Sequence, residues 1–155
     1  MKIKYLGHAA FELVLEDGAR IVFDPYTAGA FGTLHCSEIT GSYDVAIVSH
    51  SHEDHVCREV LDRSKTIVNK QGKVKTTGVT VESLVTYHDE SKGGERGKNL
   101  ISVVEAEKLR VAHLGDLGHS IAPKDFPMLM WLDVMLIPVG GHFTIGAATA
   151  AALVK

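Results

Sequence analysis

Apolar positions in this chain come in short runs, each closed by a turn-forming residue. "KIKYLG" leads into "AFELVLE", and Asp17-Gly18 separates that run from "ARIVFDP". Asp-Gly between two β-rich runs predicts a hairpin, because glycine supplies the backbone freedom a tight turn needs. Residues 27–43, rich in Gly, Ser and Thr, predict a loop. "DVAIVS" at 44–49 is almost continuously apolar, the pattern of a strand buried on both faces. Further strands are expected at "TIVN", "VTVESLVTYH", "NLISVVEA", "LRVAHLG" and "DVMLIPVG". A helix is expected over "HVCREVLDRS", with the Asp54 carboxylate capping its free N–H groups. A short helix is expected after Pro123 within "APKDFPMLMWL", and another over the terminal "GAATAAALVK". Trp131 and the Met128, Leu129, Met130 run read as core or interface. No repeat, low-complexity tract or linker breaks the pattern, so a single strand-rich α/β domain is expected over residues 1–155.

The polar residues that interrupt this pattern gather at strand ends. His8 follows the first strand, His50 the run 44–49, His88 the run 79–87, Asp116 the run 109–114 and His142 the run 134–139. Side chains at strand ends can converge on one edge of a sheet, the usual way a rigid scaffold hosts chemistry.

Composition narrows the possibilities. At 155 residues, 45% hydrophobic and 23% charged, the chain is long enough for one packed domain and ordinary for a globular protein. A formal net charge of −3, with no run of Lys or Arg, argues against a nucleic-acid partner. The N-terminus is interrupted by Glu12, Glu16 and Asp17 and is not a secretory signal. No window offers the roughly 18 apolar residues of a membrane span. Cys36 and Cys57 are too few for a disulfide framework, and a reduced cytoplasmic setting is expected. Cys57 is expected to be a buried, inert thiol. Nine histidines are the one unusual count.

Three of them lie in "VSHSHEDHV", residues 48–56. Residues two apart in an extended segment point the same way, so His50 and His52 can share one cation. Once the chain turns, Asp54 and His55 face elsewhere and can hold a second. Zinc accepts imidazole nitrogen and carboxylate oxygen. His88 can complete the first set, and Asp116, in the Gly-flanked turn "HLGDLGH", can bridge two ions.

Beyond this motif, "YLGHAAFEL", "IVFDPY", "YHDESKGGERGKNLISVVE", "VAHLGDLGHSI" and "DVMLIPVGGHFTI" extend a likeness along essentially the whole chain. The sequence resembles the metallo-β-lactamase-fold hydrolases, in particular the branch with L-ascorbate-6-phosphate lactonase. The resemblance implies an αββα sandwich and a dinuclear site, with zinc the usual metal and manganese or iron as alternatives. It places His50, His52 and His88 on one metal, Asp54 and His55 on the other, and Asp116 between them. Asp54 would also orient the attacking water. Asp24 matches a buried acid that steadies the metal-binding loop, and His8 and His119 match positions lining the pocket. His142 lies in the "GGHFT" turn, where the resemblance gives it no ligand role.

The same resemblance gives the family further strands, helices and a final metal-binding His beyond "GGHFTI". The expectation is therefore an incomplete second half, a weak second metal and pairing of the chain as a homo-oligomer. The expected activity is metal-dependent hydrolysis of a small-molecule ester, lactone or phosphoester. The alternatives are a phosphodiesterase or nuclease, and a non-catalytic metal-binding domain completed by another chain.

Overall fold

A computed structural model describes residues 1–154 and divides the chain into two compact units, Met1–Asn69 and the remainder from Lys70. Each unit is built on one mixed five-stranded sheet. Among the described residues no helix is long and apolar enough to cross a membrane.

In the first unit the strands are β1 (Lys2–Gly7), β2 (Ala10–Val14), β3 (Arg20–Phe23), β4 (Val45–Ile47) and β5 (Thr66–Val68). They lie side by side in chain order. The first three run antiparallel, while β4 and β5 join in parallel. The β2–β3 hairpin closes with Leu15 N–H donating to the Ala19 carbonyl and Gly18 at φ 88. Asp17 adds its carboxylate as acceptor for the Ala19 N–H, so both residues of the Asp-Gly pair serve the turn. β3 and β4 are buried along almost their whole length, which is why "IVF" and "VAI" carry no polar residue. Ala10, Val22, Tyr26, Ile39, Tyr43, Ala46 and Val60 form a core cluster of this unit. The 27–43 loop is part of that core: the buried Tyr26 hydroxyl, 2.8 Å from both the Leu6 and the Ser37 carbonyl oxygens, shares its one proton between them.

The helix after the histidine motif starts later than Asp54. α1 spans Arg58–Asp62, with Cys57 at its N-cap and no side-chain cap. Asp54 instead sits in a turn closed by His55 N–H to the His52 carbonyl, and its carboxylate is engaged by His8. Thr27 fixes this turn outside helical geometry, its N–H donating to Glu53 O and its hydroxyl to Val56 O.

The second unit holds β6 (Gly72–Thr76), β7 (Val79–Tyr87), β8 (Lys98–Ala106), β9 (Leu109–His113) and β10 (Val134–Leu136). The sheet order is β10-β9-β8-β7-β6, antiparallel except for the β9–β10 pair. β6 was not expected from its sequence: "GKVKT" is a largely solvent-facing edge strand, and edges protected by lysine carry little apolar signal. The short helix expected after Pro123 is two 3₁₀ helices, Pro123–Asp125 and Pro127–Leu129. Met128 and Leu129 enter the core with Ile101, Ala112, Leu114 and Leu117. Trp131, at φ 59, does not, nor does Met130: they are 84% and 42% exposed, so of the two readings, core or interface, the core one does not hold for them. α2 (Ala147–Leu153) closes the described chain, burying Ala150 and Leu153.

Candidate metal centre

The first unit brings together His8, Asp24, His50, His52, Asp54 and His55, and the buried Asp24 carboxylate anchors the cluster from behind. Asp24 follows β3 in the left-handed region at φ 43 and is fully buried. Its Oδ1 accepts the Ser49 N–H at 2.7 Å, and its Oδ2 accepts the Ser49 hydroxyl at 2.6 Å and His55 Nδ1–H at 2.7 Å. The proton inventory then follows from hydrogen-bond chemistry. An ionised carboxylate only accepts, so His55 carries its proton on Nδ1 and Ser49 spends its single hydroxyl proton on Asp24. His50 Nδ1, 2.9 Å from that hydroxyl, must therefore be the donor. Both imidazoles are thus held with their Nε2 lone pairs turned away from the carboxylate, the arrangement that prepares histidines as ligands.

His50 Nε2 lies 3.0 Å from His52 Nδ1. Two nitrogens each ~2.0–2.1 Å from one zinc at a tetrahedral angle stand roughly 3.3 Å apart, so these atoms already converge at nearly the right spacing. Taking up a cation there needs only the Nε2–H tautomer of His52.

Asp54 and His55 face a second convergence. Asp54 Oδ2 accepts His8 Nε2–H at 3.0 Å and stands 3.7 Å from His55 Nε2. Burial raises the Asp54 pKa, but the His8 hydrogen bond and the neighbouring histidine charges outweigh it and hold the carboxyl below its usual range. The other oxygen, Oδ1, is buried and accepts no hydrogen bond among the described residues. A buried carboxylate oxygen without a donor is costly in a protein and suits a cation. Donor atoms of His8, Asp54 and His55 all lie within 4.8 Å of one another.

The second unit has its own pair. His88, at the end of β7, is buried and donates Nδ1–H to the Phe143 carbonyl at 3.0 Å. Its Nε2 lies 3.1 Å from Asp116 Oδ2. A neutral His88 would present a lone pair to a carboxylate, so a positive charge, proton or metal, belongs between them. Without a metal the proton takes that place: burial lowers the His88 pKa, but the Asp116 hydrogen bond and charge, with the backbone hydrogen bonds, together raise it above its usual value. Asp116 is positioned by Asn99, which is fully buried on β8. Its Oδ1 accepts the Asp116 N–H, while its Nδ2 donates to Leu114 O and Thr86 Oγ1. Gly118 lets this turn reach β7: its N–H donates to Tyr87 O, and a Cβ there would stand 2.2 Å from the His88 carbonyl carbon.

His119 spends both ring nitrogens on backbone. Nε2 accepts the Tyr87 N–H at 3.3 Å, so Nδ1–H donates to Ser120 O at 3.0 Å. His142 lines a cavity of about 310 Å³ together with His88, Arg96 and Phe143. The Arg96 guanidinium lies over the Phe143 ring, 3.3 Å from its centroid. Asp89 beside it accepts the Gly93, Glu95 and Arg96 N–H groups and the Ser91 hydroxyl, shaping the loop that carries Arg96. Sequence reading passed over Ser49, Asn99, Gly118 and Arg96. The lone asparagine heading the apolar run "NLISVV" was the one visible signal among them.

The family profile described as "Beta-lactamase superfamily domain" matches residues 2–155. A UPF0173 metal-dependent hydrolase of Thermococcus onnurineus is 28% identical, with 100% of this chain and 79% of that protein covered. Another from Thermofilum pendens is 30% identical, with coverage of 99% and 78%. Among solved structures, a Thermotoga maritima protein assigned to the Zn-dependent hydrolases of the metallo-β-lactamase superfamily superposes with a TM-score of 0.75. It is 32% identical, and the match covers 97% of this chain and 68% of that one. The two mixed sheets with few helices are those of the metallo-β-lactamase α/β fold.

Proposed function

This chain belongs to the beta-lactamase superfamily and its class is metal-dependent hydrolysis; on that premise we propose that it cleaves a small ester, lactone or phosphoester with metal-activated water. The observation that carries the reading is the approach of His50 Nε2 to His52 Nδ1, held from behind by Ser49 and Asp24. The proposed ligand sets are His50, His52 and His88 for one ion, and Asp54 and His55 for the other, with Asp116 shared. The family pattern supports these sets, and the donor chemistry of His50, His52, Asp54 and His55, and of His88 and Asp116, supports each part. Zinc is the first choice for imidazole and carboxylate donors, with manganese or iron as alternatives. Bound divalent cations lower the pKa of water toward ~7 and stabilise a developing oxyanion.

The chain's own groups supply the remainder. Asp54 orients the attacking water and accepts its proton through a carboxylate held ionised. Asp24 and Ser49 keep the histidine lone pairs aimed. His142 and Arg96 line a cavity of about 310 Å³, a volume suited to a small molecule. The motif resemblance to the ascorbate-6-phosphate-lactonase branch supports a lactone or phosphorylated sugar acid as the substrate class.

The test is elemental analysis combined with hydrolysis of a panel of lactones, aryl esters and phosphodiesters. Wild type should carry metal and lose turnover on chelation. His52→Ala should lose at least one equivalent. Equal metal content in both proteins would overturn the ligand assignment, and turnover indifferent to chelation would overturn the mechanism.

A further inference from the structure

We propose that His8 is a direct protein ligand of the ion held by Asp54 and His55, so that the first unit supplies three ligands to that ion. The inference rests on the reading above that Asp54 and His55 bind metal. It gives His8 a role that the likeness to the family did not.

Three observations carry it. The first is donor geometry. His8 Nε2 and His55 Nε2 lie 3.0 and 3.7 Å from Asp54 Oδ2. Ligand atoms around one tetrahedral zinc stand roughly 3.3 Å apart, so the two separations bracket that spacing. The second is the buried Asp54 Oδ1, which accepts no hydrogen bond from the described residues although its partner oxygen takes the His8 proton. One hydrogen bond from His8 leaves half of the carboxylate unsatisfied, whereas a cation would engage it.

The third is what the backbone spends to place His8. His8 sits in the left-handed region at φ 51, uncommon for a residue with a side chain. Gly7 before it is at φ 117, and a Cβ there would stand 2.9 Å from Cys36 Sγ. The end of β1 is thus bent through a conformation that glycine takes readily and then one uncommon for a residue with a side chain, and strain of the latter kind is kept where the fold needs a side chain in one place. Tyr5 secures the bend by donating its hydroxyl to the His8 carbonyl at 3.0 Å. On the other side, Asp24 fixes His55 Nδ1–H, leaving His55 Nε2 toward the same point.

The opposing role is a hydrogen bond that merely orients Asp54. The two are separated by zinc titration of metal-free protein, read as stoichiometry and affinity, and by ¹⁵N spectra of the imidazole nitrogens. Wild type should take up a second equivalent, with His8 Nε2 losing its proton and moving to the shift of a ligated nitrogen. His8→Ala should weaken that equivalent more than ~100-fold, beyond the ~10–100-fold typical of outer-shell losses. His8→Gln keeps an amide donor at the position of Nε2 but not an imidazole, and should weaken it similarly.

A His8→Gln variant that retains the second equivalent, or a His8 Nε2 that keeps its proton in the loaded protein, would overturn the proposal. In both cases Asp54 and His55 would remain ligands. If instead Asp54→Ala removes no metal from wild type, the underlying reading fails and the proposal falls with it. Far-UV circular dichroism of each metal-free variant checks that the fold is retained.

Discussion

Asp24 and His55 are joined by a 2.7 Å hydrogen bond between two side chains that solvent does not reach. The same carboxylate takes the Ser49 hydroxyl, so one buried acid sets the tautomer of His55 directly and of His50 at one remove.

Asp24→Asn tests that arrangement. An amide cannot accept at both positions, so its NH₂ would oppose either Ser49 or His55 Nδ1–H. His55 could answer by moving its proton to Nε2, which removes the lone pair turned toward Asp54. The expected outcome is a folded protein destabilised by ~1–3 kcal/mol. Its metal affinity should fall about 10–100-fold, as for other groups that hold a ligand from behind. Unchanged affinity in zinc titration would show that the histidines do not depend on Asp24.

Gly118→Ala should separate the Asp116 turn from β7, because the new methyl would collide with the His88 backbone. Overpacking of this kind costs on the order of 3 kcal/mol. Thermal unfolding reads the loss. A fully stable Gly118→Ala variant would mean that the turn relaxes without cost.

Arg20 covers a largely buried acid. Its Nε and Nη2 both lie 2.6 Å from Glu12 Oε1, and Glu12 is only 5% exposed. Arg20→Met keeps the apolar stem and leaves the carboxylate alone. Because Arg20 itself is partly exposed, the expected loss is ~1–3 kcal/mol rather than the full cost of a buried charge. Glu12→Gln in the same background should recover part of it, which chemical denaturation would measure.

Asp44 gives the acid limb of stability a readable sign. Its Oδ1 accepts Lys65 Nζ at 2.7 Å and its Oδ2 accepts the Arg20 N–H at 2.8 Å. The Lys65 hydrogen bond, then the Arg20 backbone bond, hold its pKa below the usual value against a smaller opposing effect of burial. A depressed folded pKa means that the contribution is present above the unfolded value near ~3.9 and is lost as pH falls through the folded one. Asp44→Asn should therefore lower stability at neutral pH by under about 1 kcal/mol, since the lysine is exposed. The difference should shrink below ~pH 3.9. A gap that widens on acidification would contradict the assignment.

His88 and Asp116 predict a dependence on one another. Asp116→Asn removes the charge that raises His88, so the metal-free variant should show a lower His88 pKa by imidazole NMR. The same variant should bind less metal. Full occupancy with full hydrolytic activity would remove the bridging role proposed for Asp116.

What the sequence determined by itself was local. The alternation and runs of apolar residues specified nine of the ten described strands, because burial on one or both faces leaves a periodic trace. Asp17-Gly18 specified the hairpin, since the turn chemistry lies within adjacent residues. The spacing of His50 and His52 specified that they share a direction, because an extended backbone repeats every two residues. The tertiary structure alone decided how distant residues meet. Asp24, Ser49 and His55 converge because β3 and β4 pair in parallel in one register, with Phe23 opposite Ile47. His8 reaches Asp54 across 46 positions because Gly7 bends the end of β1. The same long-range contacts overrode local preference at Asp54, whose carboxylate engages a histidine instead of capping a helix. β6 escaped notice because a solvent-facing edge buries too little to leave a hydrophobic pattern. Periodicity records which faces are buried; it carries no record of which residue lies opposite, and that is fixed only when strands pair and the core closes.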